Sequence, residues 1–404
     1  MLISLAWKNL WRNKKRSLII IGAITFGLWG GLFSGALMEG MMDSMVDTAI
    51  SRNLSHIQIH KQDYDRDKDV RNFIPDGLNV LEKTRLTNHV QSAAGRTLIM
   101  GMASSPTSSY GVQISGILPD QSKLVTDIYE NVIEGTYFES ERNNQILVGK
   151  KLADRLNLKL RSKVVLSFQD LEGDIAYVAC RVVGIYKTNS TQFDEMNVYM
   201  QQPDLFRILE CDPIIHEIAI RCTTSEFTDS VKTQLKATFP KLQVESWMDI
   251  APELAYLSES TGLYTYIFVG IILFALLFGI TNTMLMSVVD RIRELGVLIA
   301  IGMKKAKVFI MIILETVLLS LTGGIFGIGI SILTITYFGK SGIDLSAIAT
   351  SLESFGASTM LYPFLPVTMY VILTVMIIIA ANIAAVLPAW KATHLVPSEA
   401  IRQY

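Results

Sequence analysis

The stretch "VVDRIRELGVLIAIGMKKAKV" (Val288–Val308) decides how the rest of the chain reads. Runs long enough to cross a membrane flank it. Leu263–Val289 carries no charge, and Val308–Phe338 carries only Glu315. Asp290, Arg291, Arg293 and Glu294 fall within five residues. An Asp, Lys or Arg at the bilayer centre costs roughly 2.5–3.5 kcal/mol, more than neighbouring leucines return. The stretch is therefore expected outside the hydrocarbon. Ile292, Leu295 and Ile299 recur at i, i+3 and i+7, which makes one helix face apolar and the other charged. Such a helix suits a connector on the membrane surface or a groove on a partner protein. Periodicity does not choose between them. Gly296 and Gly302 allow close approach or a helix end.

Working outward, Ser17–Leu37 and Pro366–Leu387 are also uncharged and meet the roughly 20 residues that a span needs. Half of the 404 residues are hydrophobic, which predicts four membrane helices together with a soluble domain. The first run exceeds the roughly 7–15 apolar residues of a cleaved leader and reads as a retained anchor. Orientation follows from basic residues near the span ends. Lys8, Arg12, Lys14, Lys15 and Arg16 precede the first span. Arg291, Arg293, Lys304, Lys305 and Lys307 lie between the second and third, and Lys391 and Arg402 follow the fourth. Segments 1–16, 290–307 and 388–404 are thus expected in the cytoplasm, with 38–262 and 339–365 outside. The net charge of -1 gives no bias toward nucleic acid.

Segment 38–262, about 220 residues, suffices for one large or two small modules. Alternating runs predict strands at "SHIQIHK", "YGVQISGI", "SKVVLSF", "AYVACRVVGIY", "NVYM" and "HEIAIRC". Helical patterns cover Leu78–Ala93, Lys150–Leu156, Pro203–Leu209 and Phe227–Thr238, giving an α+β domain. "DLEGD" (Asp170–Asp174) reads as a hairpin tip turned by Gly173. No catalytic set stands out. His56 and His60 share a strand face but sit too far apart to chelate one metal easily, and HExxH is absent. No metal site is expected. Cys211 and Cys222 are the one plausible disulfide in an oxidising compartment, against free or buried thiols. No GxxxxGK[ST] is present, so any nucleotide energy must come from another polypeptide.

Gly27, Gly31 and Gly35 are spaced by four on the first span, a pattern that lets helices approach closely. An interface between two membrane subunits is one reading. Phe26, Trp29, Phe33, Met38, Met41, Met42 and Met45 line the outer half of that span and its extension. Methionines adapt to irregular apolar ligands, though plain packing against lipid or protein explains the set equally well. Glu315 is an intramembrane carboxylate, hence a candidate for function by default.

The segment "NTMLMSVVDRIRELGVLIAIGMKKAKVFIMIILETVLLSLTGG" resembles permeases of the MacB, FtsX and lipoprotein-releasing (LolC/LolE) superfamily of ABC transporters. The shared pattern is R-x-R-E-x-G-x-L-x-A-x-G, then basic residues, then a span with an early Glu and a Gly-Gly. It falls here on Arg291, Arg293, Glu294, Gly296, Leu298, Ala300, Gly302, Glu315, Gly323 and Gly324. "AWKNLWRNKKRSLIIIG" resembles the family's amphipathic lead-in helix, and "LPAWKATHLVPSEAIR" its closing motif. "ILVGKKLADRLNLKLRSKVVL" and "VVGIYKTNSTQFDEMNVYM" look most like the lipoprotein-releasing branch.

The resemblance implies a MacB-like permease without catalytic residues of its own, with its large domain in the periplasm of a bacterium. Arg291, Arg293, Glu294, Gly296, Gly302 and Lys304 would form the helix that docks on a cytoplasmic ATPase dimer. That dimer would bind ATP and Mg, and a second permease copy or paralogue would complete the assembly within the membrane lipids. Glu315 would support helix packing, and Phe26, Trp29, Phe33, Met38, Met41 and Met42 would border a substrate cavity. Lipoprotein release by mechanotransmission is the leading expectation. MacB-like efflux and FtsX-like control of cell-wall hydrolases are the alternatives. LolC recruits a periplasmic carrier through a long hook, and the corresponding "SFQDLEGDIAYVA" is short. A carrier or adaptor is thus only a further candidate partner.

Overall fold

The computed structural model describes residues 14–138, 142–348, 352 and 357–394. The first part of the lead-in segment, up to residue 13, and the end of the closing motif, from Leu395 onward, lie outside the described residues. The chain divides into two compact units: Met1–Met42, Glu259–Asp344 and Met360–Tyr404 form one, Asp43–Ser258 and Leu345–Thr359 the other.

Four long helices dominate the first unit: α1 (Lys14–Ala49), α7 (Pro252–Asp290), α9 (Lys305–Ser341) and α10 (Val367–Thr393). All four are long and apolar enough to cross a membrane. They outrun the apolar stretches read from sequence. At 1.5 Å per residue α1, α7 and α9 are each about 55 Å long, against a hydrocarbon core of about 30 Å. The excess turns carry residues such as Glu253 and Lys340, which helix geometry tolerates and a hydropathy reading excludes. A short helix, α8 (Ile292–Ala300), joins α7 to α9.

Small residues set how closely these helices pack. A Cβ on Gly27 would fall inside Leu276, and one on Gly35 would lie 3.0 Å from Thr265. Gly31 faces Val269 and Ile377. The glycine stripe on α1 thus seats α7 and α10 of the same chain, and the intersubunit reading gives way to an internal one. A second stripe lies on α9. A Cβ at Gly323 would meet Ile24 at 2.9 Å and the Ile21 carbonyl at 3.0 Å, and Gly327 abuts Leu28. The Thr25 hydroxyl donates to the Gly323 carbonyl at 3.1 Å, a hydrogen bond that only near backbone contact permits. Large apolar residues such as Phe268, Ile271, Phe274 and Phe278 on α7 stay exposed, as lipid-facing side chains must.

The second unit holds two modules that share one strand. Strands β1 (Ile57–Lys61), β2 (Val90–Ser104), β3 (Ser109–Ile117), β4 (Val132–Gly135), β5 (Gln145–Gly149), β6 (Lys163–Gln169), β7 (Ile175–Tyr186), β8 (Asn197–Gln201), β9 (Glu217–Cys222) and β10 (Leu242–Ser246) form one sheet. The far half of β2 pairs with β3 on one side and β6 on the other. The ring continues β3–β8–β5–β7–β6 and closes into a six-stranded barrel. Ile99, Ile114, Ile146, Leu166, Cys180 and Val198 belong to its buried core. The near half of β2 pairs with β9, which leads to β1 and β10. Helices α2 (Gly77–Arg85) and α6 (Thr228–Thr238) cover that smaller sheet with Val80, Leu81, Val231 and Leu235. Helices α3 (Lys150–Arg155), α4 (Thr191–Met196) and α5 (Gln202–Leu209) surround the barrel strands.

The six expected strands are present, and Gly173, at φ +99°, turns the β6–β7 hairpin. The expected helix over Leu78–Ala93 is overturned. It stops at Arg85, a turn with His89 at φ +65° follows, and β2 begins at Val90. Alternation is hidden in β2 because Ala93 to Ile99 are buried on both faces. Cys211 and Cys222 are free thiols in separate clusters, which is the alternative set against the disulfide.

Candidate functional site

The charged stretch forms a helix pinned from within. Arg291 Nη1 donates to both oxygens of Glu315, at 3.0 and 3.1 Å, and the side chains of both residues are 10% exposed. Arg291 Nε reaches Glu294 at 3.5 Å. Glu315 lies ten residues into α9, about 15 Å from its start. An ion that deep requires a partner, and the arginine at the N-terminal edge of α8 supplies it. Leu295 and Gly296 are buried as well, and Leu298, Ile299 and Met303 pack on the helical core. The stripe Ile292, Leu295, Ile299 is thus largely used within the chain.

This relocates part of the expected docking set. Arg291 and Gly296 fix α8 in place and face inward. Arg293, Glu294, Gly302 and Lys304 are exposed, together with Val297, Ala300 and Ile301, the last at 80% exposure. Gly302 plays a backbone role. Its N–H donates to the Ile299 carbonyl and the Met303 N–H to the Leu298 carbonyl, both at 3.0 Å. This is the paired C-terminal cap that needs a left-handed residue; Gly302 has φ +103° and open space around it. Gly302→Val is therefore expected to cost about 1–3 kcal/mol through backbone strain alone. Gly329→Ala, also in open space but within helix α9, is the control and should melt at or above the wild type. Equal melting temperatures for the two variants would show that the cap carries no strain-free requirement for glycine.

The proposed cavity residues divide. Trp29 stacks on Phe33 at 5.8 Å, its indole N–H donates to Thr334 at 3.1 Å, and Phe33 meets Phe338 edge-on. These two rings bind α1 to α9. Phe26, Met38 and Met41 are exposed, and Met42 and Met45 are half-buried.

Sequence reading missed the second unit's polar centre. Past Ala49 the first long helix widens into a π-helical turn, Ile50–Leu54, a form that leaves carbonyls misaligned and often marks a functional site. Those carbonyls are taken by the domain. Arg96 Nη1 donates to the Asn53 carbonyl at 2.9 Å, Gln58 to the Asn53 and Leu54 carbonyls, and the Asp127 N–H to Ser51. Arg96 also pairs with Glu217 at 2.6 Å, and Glu217 accepts from or faces His60 at 3.3 Å. Burial alone would raise the Glu217 carboxyl. The Arg96 guanidinium and the His60 contact outweigh it and hold the group below the usual range. His56 bonds the Cys222 N–H through Nδ1, and its carbonyl accepts from Trp247 N–H, just ahead of α7. Both histidines are therefore buried and engaged, and no three His, Cys, Asp or Glu gather as a metal set among the described residues. The available signal is the single charge in the otherwise uncharged run "SAAGRTLIM", which needs a partner once that run is buried.

Residues 17–238 match the family described as the MacB-like periplasmic core domain, and residues 266–397 that of the FtsX-like permease C-terminal region. The chain belongs to the MacB/FtsX-type ABC transporter permeases. The macrolide export ATP-binding/permease protein MacB of Escherichia coli is 25% identical over 217 residues, covering 50% of this chain and 32% of that protein. An uncharacterised ABC transporter permease of Methanocaldococcus jannaschii is also 25% identical, over 50% of this chain and 51% of its own length. The chain thus spans a third to a half of these relatives. The periplasmic region of MacB from Actinobacillus actinomycetemcomitans aligns at 12% identity and TM-score 0.36, over 52% of this chain and 97% of that one. In this MacB/FtsX-type permease, the Arg96–Glu217 pair lies in the core-domain match and the Arg291–Glu315 pair in the FtsX-like match.

Proposed function

We propose that this permease passes the work of a separate cytoplasmic ATPase dimer, which binds ATP and Mg, to its domain between α1 and α7. The carrying observation is α8, a short helix held by a buried ion pair, with Arg293, Glu294, Val297 and Ile301 turned outward. A lever must be stiff toward its own body and open toward its driver, and α8 meets both conditions. The basic residues beside it support an orientation with α8 in the cytoplasm and the domain outside. A second permease copy or paralogue would meet the exposed aromatic face of α7. The π-helical turn fits the receiving end, because its carbonyls are tied to the sheet.

Lipoprotein release is one cargo reading, resting on the external sequence pieces. Relatives named for macrolide export support the other, efflux of an amphipathic small molecule. Co-purification with an ATPase, followed by ATP-driven assays of lipoprotein release and of macrolide efflux in proteoliposomes, tests both. Glu294→Lys is expected to leave the permease folded and assembled while ATPase activity no longer drives either output. Normal output from that variant would sink the docking role of α8. Lys307→Cys in a chain whose Cys180, Cys211 and Cys222 are replaced by Ser, labelled by an impermeant maleimide in inverted but not right-side-out vesicles, tests the orientation separately.

A further inference from the structure

The start of α9 and the end of α10 flank an open cleft of about 370 Å³ lined by Lys305, Ala306, Phe309, Ile310, Thr393 and His394. That volume is within the range of small-ligand clefts, ~300–1,000 Å³. Its lining is divided by chemistry. Lys305 and His394 sit at the rim, whereas Phe309 and Ile310 lie one turn further into a membrane-length helix. Trp390, 60% exposed, stands beside the rim with its ring 4.5 Å from that of His394. An exposed tryptophan at the end of a spanning helix marks the depth of lipid headgroups. Lys304, Lys307 and Lys391 add charge from the same two helix ends, and none of these lysines pairs with a carboxylate among the described residues. His394 uses Nδ1 toward the Trp390 carbonyl and Thr393, which leaves Nε2 directed elsewhere.

We propose that this cleft binds the phosphate headgroup of an anionic phospholipid, with one acyl chain lying along Phe309, Ile310 and Trp390. Lysines without a carboxylate partner among the described residues, above an apolar floor, match a molecule with an anionic head and a hydrocarbon tail. A protein partner or a soluble anion would use the rim and leave the floor uncovered. The leaflet concerned is the cytoplasmic one, which rests on the orientation proposed above; the lipid chemistry does not.

Native mass spectrometry of the full chain, released from nanodiscs that contain phosphatidylglycerol and phosphatidylcholine, tests the site. The wild type should keep phosphatidylglycerol in preference to phosphatidylcholine. The Lys305→Gln/His394→Gln variant, altered at exposed positions only, should keep about fivefold less phosphatidylglycerol, the effect of the one lysine removed, with an unchanged melting temperature. Equal phosphatidylglycerol retention by the two proteins would overturn the site. So would displacement of the lipid by inorganic phosphate, which identifies a soluble anion as the occupant. Loss of the ATPase partner by the variant with lipid retention intact would overturn it too, by making the patch a protein contact. Binding in a nanodisc does not depend on which face is cytoplasmic, so failure here leaves the orientation to the maleimide test.

Discussion

Glu315→Ala is expected to destabilise the helical unit by about 3–5 kcal/mol, the usual cost of stranding one partner of a buried pair. Arg291 would be left charged and desolvated, with only the half-exposed Glu294 at 3.5 Å. Arg291→Ala should cost a similar amount by stranding Glu315 inside α9. Replacing both, as Arg291→Met/Glu315→Leu, should recover most of the loss, because no charge then remains buried. Thermal unfolding of the four proteins in one detergent measures the cycle. A wild-type melting temperature for Glu315→Ala would show that the pair does not hold α8. The double variant has a second use. If α8 works as a lever, its restored stability should come without restored coupling, since apolar contact does not fix the direction of a helix as a charge-assisted hydrogen bond does.

Arg96→Met is expected to cost about as much in the second unit, ~3–5 kcal/mol, since the Arg96 and Glu217 side chains are 3% and 5% exposed. It should also reverse the response to pH. In the wild type the folded Glu217 carboxyl lies below its unfolded value, taken as 4.5. The stability it confers is complete above that value and is lost as pH falls through the folded one. Without Arg96, burial dominates and raises the folded value above the unfolded one. The variant should then be most stable in acid and weaken as pH rises toward neutrality. Melting curves between pH 4 and 7 give the sign, and parallel slopes for the two proteins would refute this account. Hydrogen exchange adds a local readout. Freed of Arg96, the turn Ile50–Leu54 should exchange faster, and Gln58→Leu should add to the effect because Gln58 holds the same carbonyl.

Much of this architecture is legible in the sequence, for physical reasons that differ along the chain. The four spans are legible because apolar runs of that length, three without a charge and one with only Glu315, have no stable setting in water. The six strands are legible where one face is buried and the other wet. β2 is hidden because its middle is buried on both faces and lacks alternation. The charged stretch shows its helix and its place outside the hydrocarbon. It does not show that Arg291 turns inward, because Glu315 lies 24 residues away and on the far side of a turn. Gly27, Gly31 and Gly35 announce a close contact without naming the partner, since any helix can fill the groove they make. The Arg96–Glu217 pair spans 121 residues; one unexplained charge in a buried run is the whole of its trace.

Strand β2 has a consequence for how the second unit breaks. Its 15 residues serve the barrel at one end and the smaller sheet at the other, with no linker between. Such a strand leaves no place to cut. Neither module can be excised or transplanted into a relative without exposing the other's unpaired edge. The two should melt together in a single transition, and a ligand that stabilises either one should protect both.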